Sequence, residues 1–293
     1  MCLAEKLFQS SFPEMNQETV QLENSSMAVE KLTAFSDGAG RFLRYADGFQ
    51  NKENHSFSMP VRQKIEHTGR VCHFACFLGK TAGLFSPLER RLFLLSALFH
   101  DISRFEQYML YGTFRDNLSF DHGDRSVEIM QKGLFLQETA PEYLKILMEA
   151  VRVHNKISIP EYFPEEALTA ARMLRDADKL AVLEEALAFF EHPDKNVKLD
   201  VPDPDTFTQS IAERVLHSEK IHNAELRCVN DFKINLFAWA GDLNCGTSCR
   251  YLFKRRYYER LRKLMPDSSL LDELLNQTLA ELQRKSLMGP GLF

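Results

Sequence analysis

The sequence is poor in glycine and proline, has a single tryptophan, and contains no long apolar run. Thirteen glycines and eleven prolines in 293 residues are too few for a turn-rich β-sandwich. No apolar stretch approaches the roughly 18 residues needed to span a bilayer, so a membrane partner is not expected. The formal charge of -5 gives no global pull toward nucleic acid or acidic membranes. A secretory signal is not legible: Met1 is followed by Cys-Leu-Ala-Glu-Lys, without a basic n-region and a long apolar h-region. The expected location is cytoplasmic. There is no glycine-rich phosphate loop, no Gly-x-Ser-x-Gly elbow, no internal repeat and no low-complexity tract.

The six cysteines also lack a telling pattern. Cys72 and Cys76 stand one helical turn apart, as Cys245 and Cys249 could, and neither pair has the CxxC spacing of a zinc knuckle or redox motif. Reduced structural thiols are expected in a cytoplasmic chain. Cys245-Gly-Thr-Ser-Cys249 is the one stretch where a thiol role stays open.

What the sequence does have is helical periodicity. It is 44% hydrophobic with 23 phenylalanines, enough for one substantial core or two modest ones. From Val61 to Ala82, His67, Val71, Phe74 and Leu78 share one face. Ser86-Pro-Leu-Glu89 is a capping box in front of the stripe Leu88, Leu92, Leu95 and Phe99, which runs into His100-Asp101. A loop with Gly112, Asn117 and Ser119 precedes a short helix from about Asp121 to Gly133. Pro141 starts a helix with the stripe Leu144, Leu147, Val151 and His154, and Pro164 starts a long one reaching Phe190. After the Asp/Pro-rich stretch from His192 to Pro204, three or so helical segments remain, the last being Ser268–Lys285. Convincing strands are absent, so the fold class is all-α. The expected organisation is an extension over 1–26, with Met27 opening the folded sequence, a metal-binding helical domain over 27–190, and a C-terminal helical segment over 191–293 on the same core.

Ligand-capable residues fall on these helices in order. His67 lies on the apolar face of the first core helix, His100 and Asp101 close the second, and His122 opens the third. His154 ends the fourth and Asp178 lies within the fifth. Singly, each has an ordinary reading as a core or surface residue. Jointly, burying an acid and several imidazoles without partners costs several kcal/mol, a cost that a metal ion removes. Asp178 has the apolar helical neighbours Leu174, Ala181 and Val182 and so needs a strong internal partner. Asp176 shares a mixed face with Arg172, Lys179 and Leu180, where a carboxylate can be solvated or paired.

The order His67, His100-Asp101, distant Asp178 resembles the HD superfamily of metal-dependent phosphohydrolases. The surrounding residues carry the likeness: His67-Thr-Gly-Arg-Val71, Leu98-Phe-His-Asp-Ile-Ser-Arg-Phe105, Tyr111-Gly-Thr-Phe114, Phe120-Asp-His122 and Arg175-Asp-Ala-Asp-Lys-Leu180, over roughly Val61 to Glu185. Two positions depart from the common pattern. Ser103 stands where many members have glycine, and Arg104 stands where nucleoside monophosphatases of the family often have a glutamate.

The resemblance implies a metal held by His67, His100, Asp101 and Asp178. His122 and His154 match the additional histidines of the subgroup with two metals, where the doublet aspartate bridges the ions. A dinuclear site is therefore favoured over a mononuclear one, in which the two histidines would act as general acid or phosphate contacts. So many imidazoles favour Mn, Fe, Co or Zn over Mg. The implied reaction is hydrolysis of a phosphoester or phosphoanhydride in a small, nucleotide-like molecule by a metal-activated water. Asp101, Arg104 and Lys179 are the candidate catalytic residues, the latter two as phosphate clamps with Arg70 behind them. The competing reading of these cations is ion pairing to Glu66, Glu106 or Asp176.

Two other functions use the same fold: a di-iron oxygenase with the same ligand set, and a non-catalytic scaffold or regulator. The run Lys254-Arg-Arg-Tyr-Tyr-Glu-Arg-Leu-Arg-Lys263 alternates basic and aromatic residues. It reads as an amphipathic helix with Phe253, Tyr257, Leu261 and Leu264 on one face, with phosphate recognition or an oligomer contact as the minor readings. Nucleic acid is not an expected partner, and a homo-oligomer is compatible with the sequence.

Overall fold

The computed structural model describes residues 3–11, 35–51, 53, 56–82, 86–133, 136–137, 139–193, 201–289 and 291–292. Their α-helices are α1 (Leu3–Ser11), α2 (Phe35–Asp47), α3 (Met59–Thr81), α4 (Pro87–Phe99), α5 (Ser103–Tyr111), α6 (His122–Lys132) and α7 (Pro141–Val153). Then come α8 (Glu165–Glu191), α9 (Gln209–Leu216), α10 (Val229–Ala238), α11 (Gly246–Lys254), α12 (Tyr257–Arg262) and α13 (Ser269–Leu287). Among the described residues there is no strand, and the only extended pairing is an isolated bridge between Cys245 and Leu292. The fold is all-α. No helix of the described residues is long and apolar enough to cross a membrane.

The elements begin where local chemistry starts them. Proline occupies the first turn of α3, α4 and α7, where a missing N–H costs nothing. At α4 the Ser86 hydroxyl accepts the Glu89 N–H at 3.3 Å, and the Glu89 carboxylate accepts the Ser86 N–H at 2.7 Å. The capping box read from the sequence is thus formed. Gly112 ends α5 in the left-handed region, at φ 64°, which releases the chain into the following loop.

The helices gather into two compact units, residues 1–181 and 182–293. In the first unit, α1, α4 and α5 pack on α3, while α2 and α7 pack on α4 and α6 joins α5 to α7. Phenylalanine fills the interior. Phe42 is fully buried, with ring centroids 5.9 Å from Phe8, 6.5 Å from Phe99 and 5.8 Å from Phe105. Each such pair adds about 0.5–1.5 kcal/mol beyond area burial. The polar opening of the chain, read as an extension, contains α1, and its Phe8 belongs to this cluster. Both Ser26 and Met27 lie outside the described residues.

In the second unit, α9, α10, α11 and α12 all pack on α13. The described residues after Pro204 form five α-helices rather than the three or so expected. The basic run is one reason, because it is not a continuous helix. Arg256 takes φ 52° between α11 and α12, and Tyr257 and Tyr258, which open α12, are both buried. Phe253, placed on the apolar face by periodicity, is instead 39% exposed. Acidic residues pair the basic ones: Arg255 with Glu184, Arg256 with Glu259, Arg260 with Glu191 and Arg262 with Asp272. Cys245 and Cys249 are both fully buried.

Candidate metal centre

Three helix ends and two helix interiors deliver the candidate ligands. His100 caps the C-terminus of α4, His154 that of α7, and His122 is the first residue of α6. His67 lies within α3 and Asp178 within α8. The first turn of α6 must come very close to the end of α7 for His122 to meet His154. Gly123 permits it, since a Cβ there would stand 2.5 Å from Asn155 Oδ1 and 2.8 Å from the Arg152 carbonyl. Ser103, the departure from glycine, fixes the other side. Its buried hydroxyl donates to the His122 carbonyl at 2.8 Å, and its N–H donates to Ser126 Oγ at 3.2 Å.

All six residues converge on the Asp101 carboxylate or on its neighbours. Asp101 Oδ2 lies 3.8 Å from His67 Nε2 and 3.7 Å from His100 Nε2. Its other oxygen, Oδ1, lies 3.5 Å from His122 Nε2 and 3.7 Å from His154 Nε2. Asp178 Oδ1 faces the first pair, 3.1 Å from His67 Nε2 and 3.8 Å from His100 Nε2. The carboxylate therefore divides four imidazoles into two pairs, one on each oxygen.

The outer nitrogens fix the tautomers. His100 Nδ1 and His154 Nδ1 lie 2.7 Å from the Ala97 and Val151 carbonyls, and His122 Nδ1 lies 2.6 Å from Asp116 Oδ2. A carbonyl or carboxylate only accepts, so each Nδ1 carries the proton and each Nε2 presents a bare lone pair inward. Burial, reinforced at His122 by the Arg104 charge, outweighs the nearby carboxylates and pushes His100 and His122 down to about 4. Both are neutral at pH 7.

Such an interior can take a cation. His100 Nε2 is buried with no hydrogen-bond partner, and its lone pair faces two carboxylate oxygens. His122 Nε2 and His154 Nε2 stand 3.2 Å apart with two lone pairs and no proton between them. An unsatisfied buried group of this kind costs about 1–3 kcal/mol. Two trios, His67–His100–Asp178 and His100–Asp101–His154, each bring one ligand atom per residue within 4.8 Å of the others. Imidazole nitrogen and carboxylate oxygen are ordinary donors to a divalent ion, so the residues present fit one.

The cations expected to grip phosphate are placed differently. Arg104 is committed to the shell: its guanidinium donates to Asp101 Oδ1 at 3.3 Å, Gln107 Oε1 at 2.6 Å, the Phe114 carbonyl at 2.7 Å and Asp116 Oδ1 at 3.0 Å. Arg70 pairs with Glu66 at 3.7 Å, while Glu106 is taken by Arg125. Lys179 is partly exposed, one residue beyond Asp178. The two aspartates of α8 also exchange surroundings: Asp176 is fully buried, whereas the Asp178 side chain is 25% exposed. Of the two readings open to Asp176, solvated or paired, its burial leaves the paired one, because the helix is enclosed on more than its apolar stripe.

Sequence reasoning missed two residues. Lys64 donates to Asp101 Oδ2 at 2.9 Å. Its signal was available, since it precedes His67 by three on the same helix and so shares its face. Asp116 sits in a short 3-10 turn and takes hydrogen bonds from His122, Arg104, Gln107 and Asn155. Burial alone would raise its carboxyl, but His122 and Arg104 hold it well below the usual carboxylate range. No periodic signal marks a loop aspartate. Likewise burial would raise Asp101, yet Lys64, His100 and Arg104 together hold it well below that range.

Residues 65–183 match the family model of the HD domain. The match contains all six clustered residues. No curated protein and no solved structure matches the chain. HD domains are the mark of a superfamily of metal-dependent phosphohydrolases that bind divalent metals. With the His67, His100-Asp101 and Asp178 order now found around one carboxylate, the chain contains an HD domain over residues 65–183.

Proposed function

We propose that the protein is a metal-dependent phosphohydrolase that cleaves a phosphoester or phosphoanhydride in a small, nucleotide-like molecule. The observation that supports it best is Asp101, with a pair of imidazole Nε2 atoms facing each of its oxygens. His67, His100, Asp178 and Asp101 Oδ2 would hold one divalent ion, and His122, His154 and Asp101 Oδ1 a second. When bound, such ions supply Lewis acidity and a water acidified to near neutral pH. Four imidazoles favour Mn, Fe, Co or Zn over Mg.

The chain's own residues supply preorganisation. Ala97, Val151 and Asp116 hold three imidazoles in the tautomer that faces inward. Arg104 clamps Asp101 to Asp116, so that neither carboxylate must reorient when charge develops nearby. Lys179 stays a candidate phosphate contact. In this reading the partner is a small phosphorylated molecule and the setting is cytoplasmic. The acidic partners of Arg255, Arg256, Arg260 and Arg262 favour a packed helix pair over a nucleic-acid face.

The test is turnover of a nucleotide panel by Mn-loaded protein under strict anaerobiosis. Release of inorganic phosphate or a phosphorylated fragment is expected, because a hydrolytic site needs no change of oxidation state. Turnover that requires both iron and oxygen would instead establish the oxygenase chemistry and overturn the phosphohydrolase reading.

A further inference from the structure

The centre holds two cations of its own, and they differ in how firmly they are tied. Each oxygen of Asp101 meets one of them: Lys64 Nζ at Oδ2, 2.9 Å away, and Arg104 Nε at Oδ1, 3.3 Å away. Both also lie over the ring of Phe114, at 5.3 Å and 5.7 Å from its centroid. Arg104 has three further acceptors in Gln107, Phe114 and Asp116, which fix its plane. Lys64 donates to Asp101 and stands over an aromatic face, with its side chain 19% exposed. A lysine is also a point charge on a flexible stem, with three donors free to rotate.

We infer that Lys64 is the movable cation of the centre, which neutralises Asp101 Oδ2 when that oxygen is not ligating and binds a phosphoryl oxygen of the substrate when it is. This rests on the phosphohydrolase reading and deepens it by naming the substrate contact. An ion and Lys64 compete for Asp101 Oδ2, because an ammonium donates to the same lone pairs that an ion would take. Displaced from Asp101, the ammonium remains at the mouth of the cluster, held near it by Phe114 and by the rigid helix that also carries His67. A phosphoryl group there meets a cation without further movement of the backbone. Lys64, rather than the committed Arg104, is then the phosphate clamp, and Arg104 is a positioning residue.

The experiment uses full-length protein and two probes, Mn alone and inorganic phosphate, both followed by calorimetry. In Lys64→Gln, Mn binds with unchanged stoichiometry and with affinity equal to or tighter than wild type, because a competing cation is gone. Phosphate binding to the Mn-loaded variant weakens by about tenfold or more, the loss expected for one charge-assisted hydrogen bond. Lys64→Arg recovers most of that loss and shows that the charge, rather than the fold, was removed. Equal phosphate affinity in wild type and Lys64→Gln would overturn this inference and leave the phosphohydrolase reading standing, as would loss of Mn affinity in Lys64→Gln, which marks a purely structural lysine. Failure of phosphate to bind Mn-loaded wild type at all would remove both.

Discussion

At the scale of single residues, the centre depends on hydrogen bonds to atoms that never touch its interior. Asp116 is the clearest case, since its Oδ2 takes the His122 Nδ1 proton at 2.6 Å while its Oδ1 takes Arg104 at 3.0 Å. Asp116→Asn should weaken the ion held by His122 and His154 by about 10- to 100-fold and leave the other nearly unchanged. Mn calorimetry would show this as a selective loss in the weaker of two binding events, and an unaltered titration would show that Asp116 does not orient His122. All six clustered residues were legible in the sequence, because each falls on a helical face or beside a helix terminus that periodicity and capping locate. Asp116, Gln107 and the true surroundings of Asp176 were not. They follow from how a loop folds back on α5 and how α8 is enclosed, and neither leaves a local pattern.

At the scale of elements, the helices with chemical start signals were the legible ones. Ser86-Pro-Leu-Glu89, Pro141 and Pro164 located α4, α7 and α8 closely, because a cap or proline acts on its own first turn. The second unit lacks such signals and uses a different device at the start of α10. There Asp231 accepts the Thr208 N–H at 2.7 Å, the Thr208 hydroxyl at 2.8 Å and the Arg227 N–H at 3.0 Å. Burial alone would raise this carboxyl, but those donors hold it below its ordinary value. A depressed folded-state pKa means that the stabilisation is complete above the unfolded value of about 3.9 and is lost as pH falls through the folded one. Asp231→Asn should therefore cost about 1–3 kcal/mol at pH 7. In urea unfolding, the gap between wild type and variant should narrow only below about pH 4. A gap that persists unchanged into that range would assign the loss to packing instead of charge.

At the scale of the whole molecule, helicity and the lack of strands among the described residues were readable from the sequence, which divided the chain at 190/191, while the compact units divide at 181/182. Contact-based units depend on which helices share an interior, and periodicity marks only that a face is buried, not against what. The break at Arg256 between α11 and α12 is hidden for the same reason. The six-residue cluster joins segments 111 positions apart, from His67 to Asp178, so a divalent ion bound there should bind the native state alone and stabilise it by mass action. The central claim is that Asp101 holds a metal centre together between its two oxygens. Elemental analysis of wild type and Asp101→Ala, each purified without added metal and checked for helical content by circular dichroism, tests this most directly. The expected result is close to two divalent ions per wild-type chain and loss of most of that metal from a variant that keeps its helices. Near wild-type metal content in Asp101→Ala would contradict it.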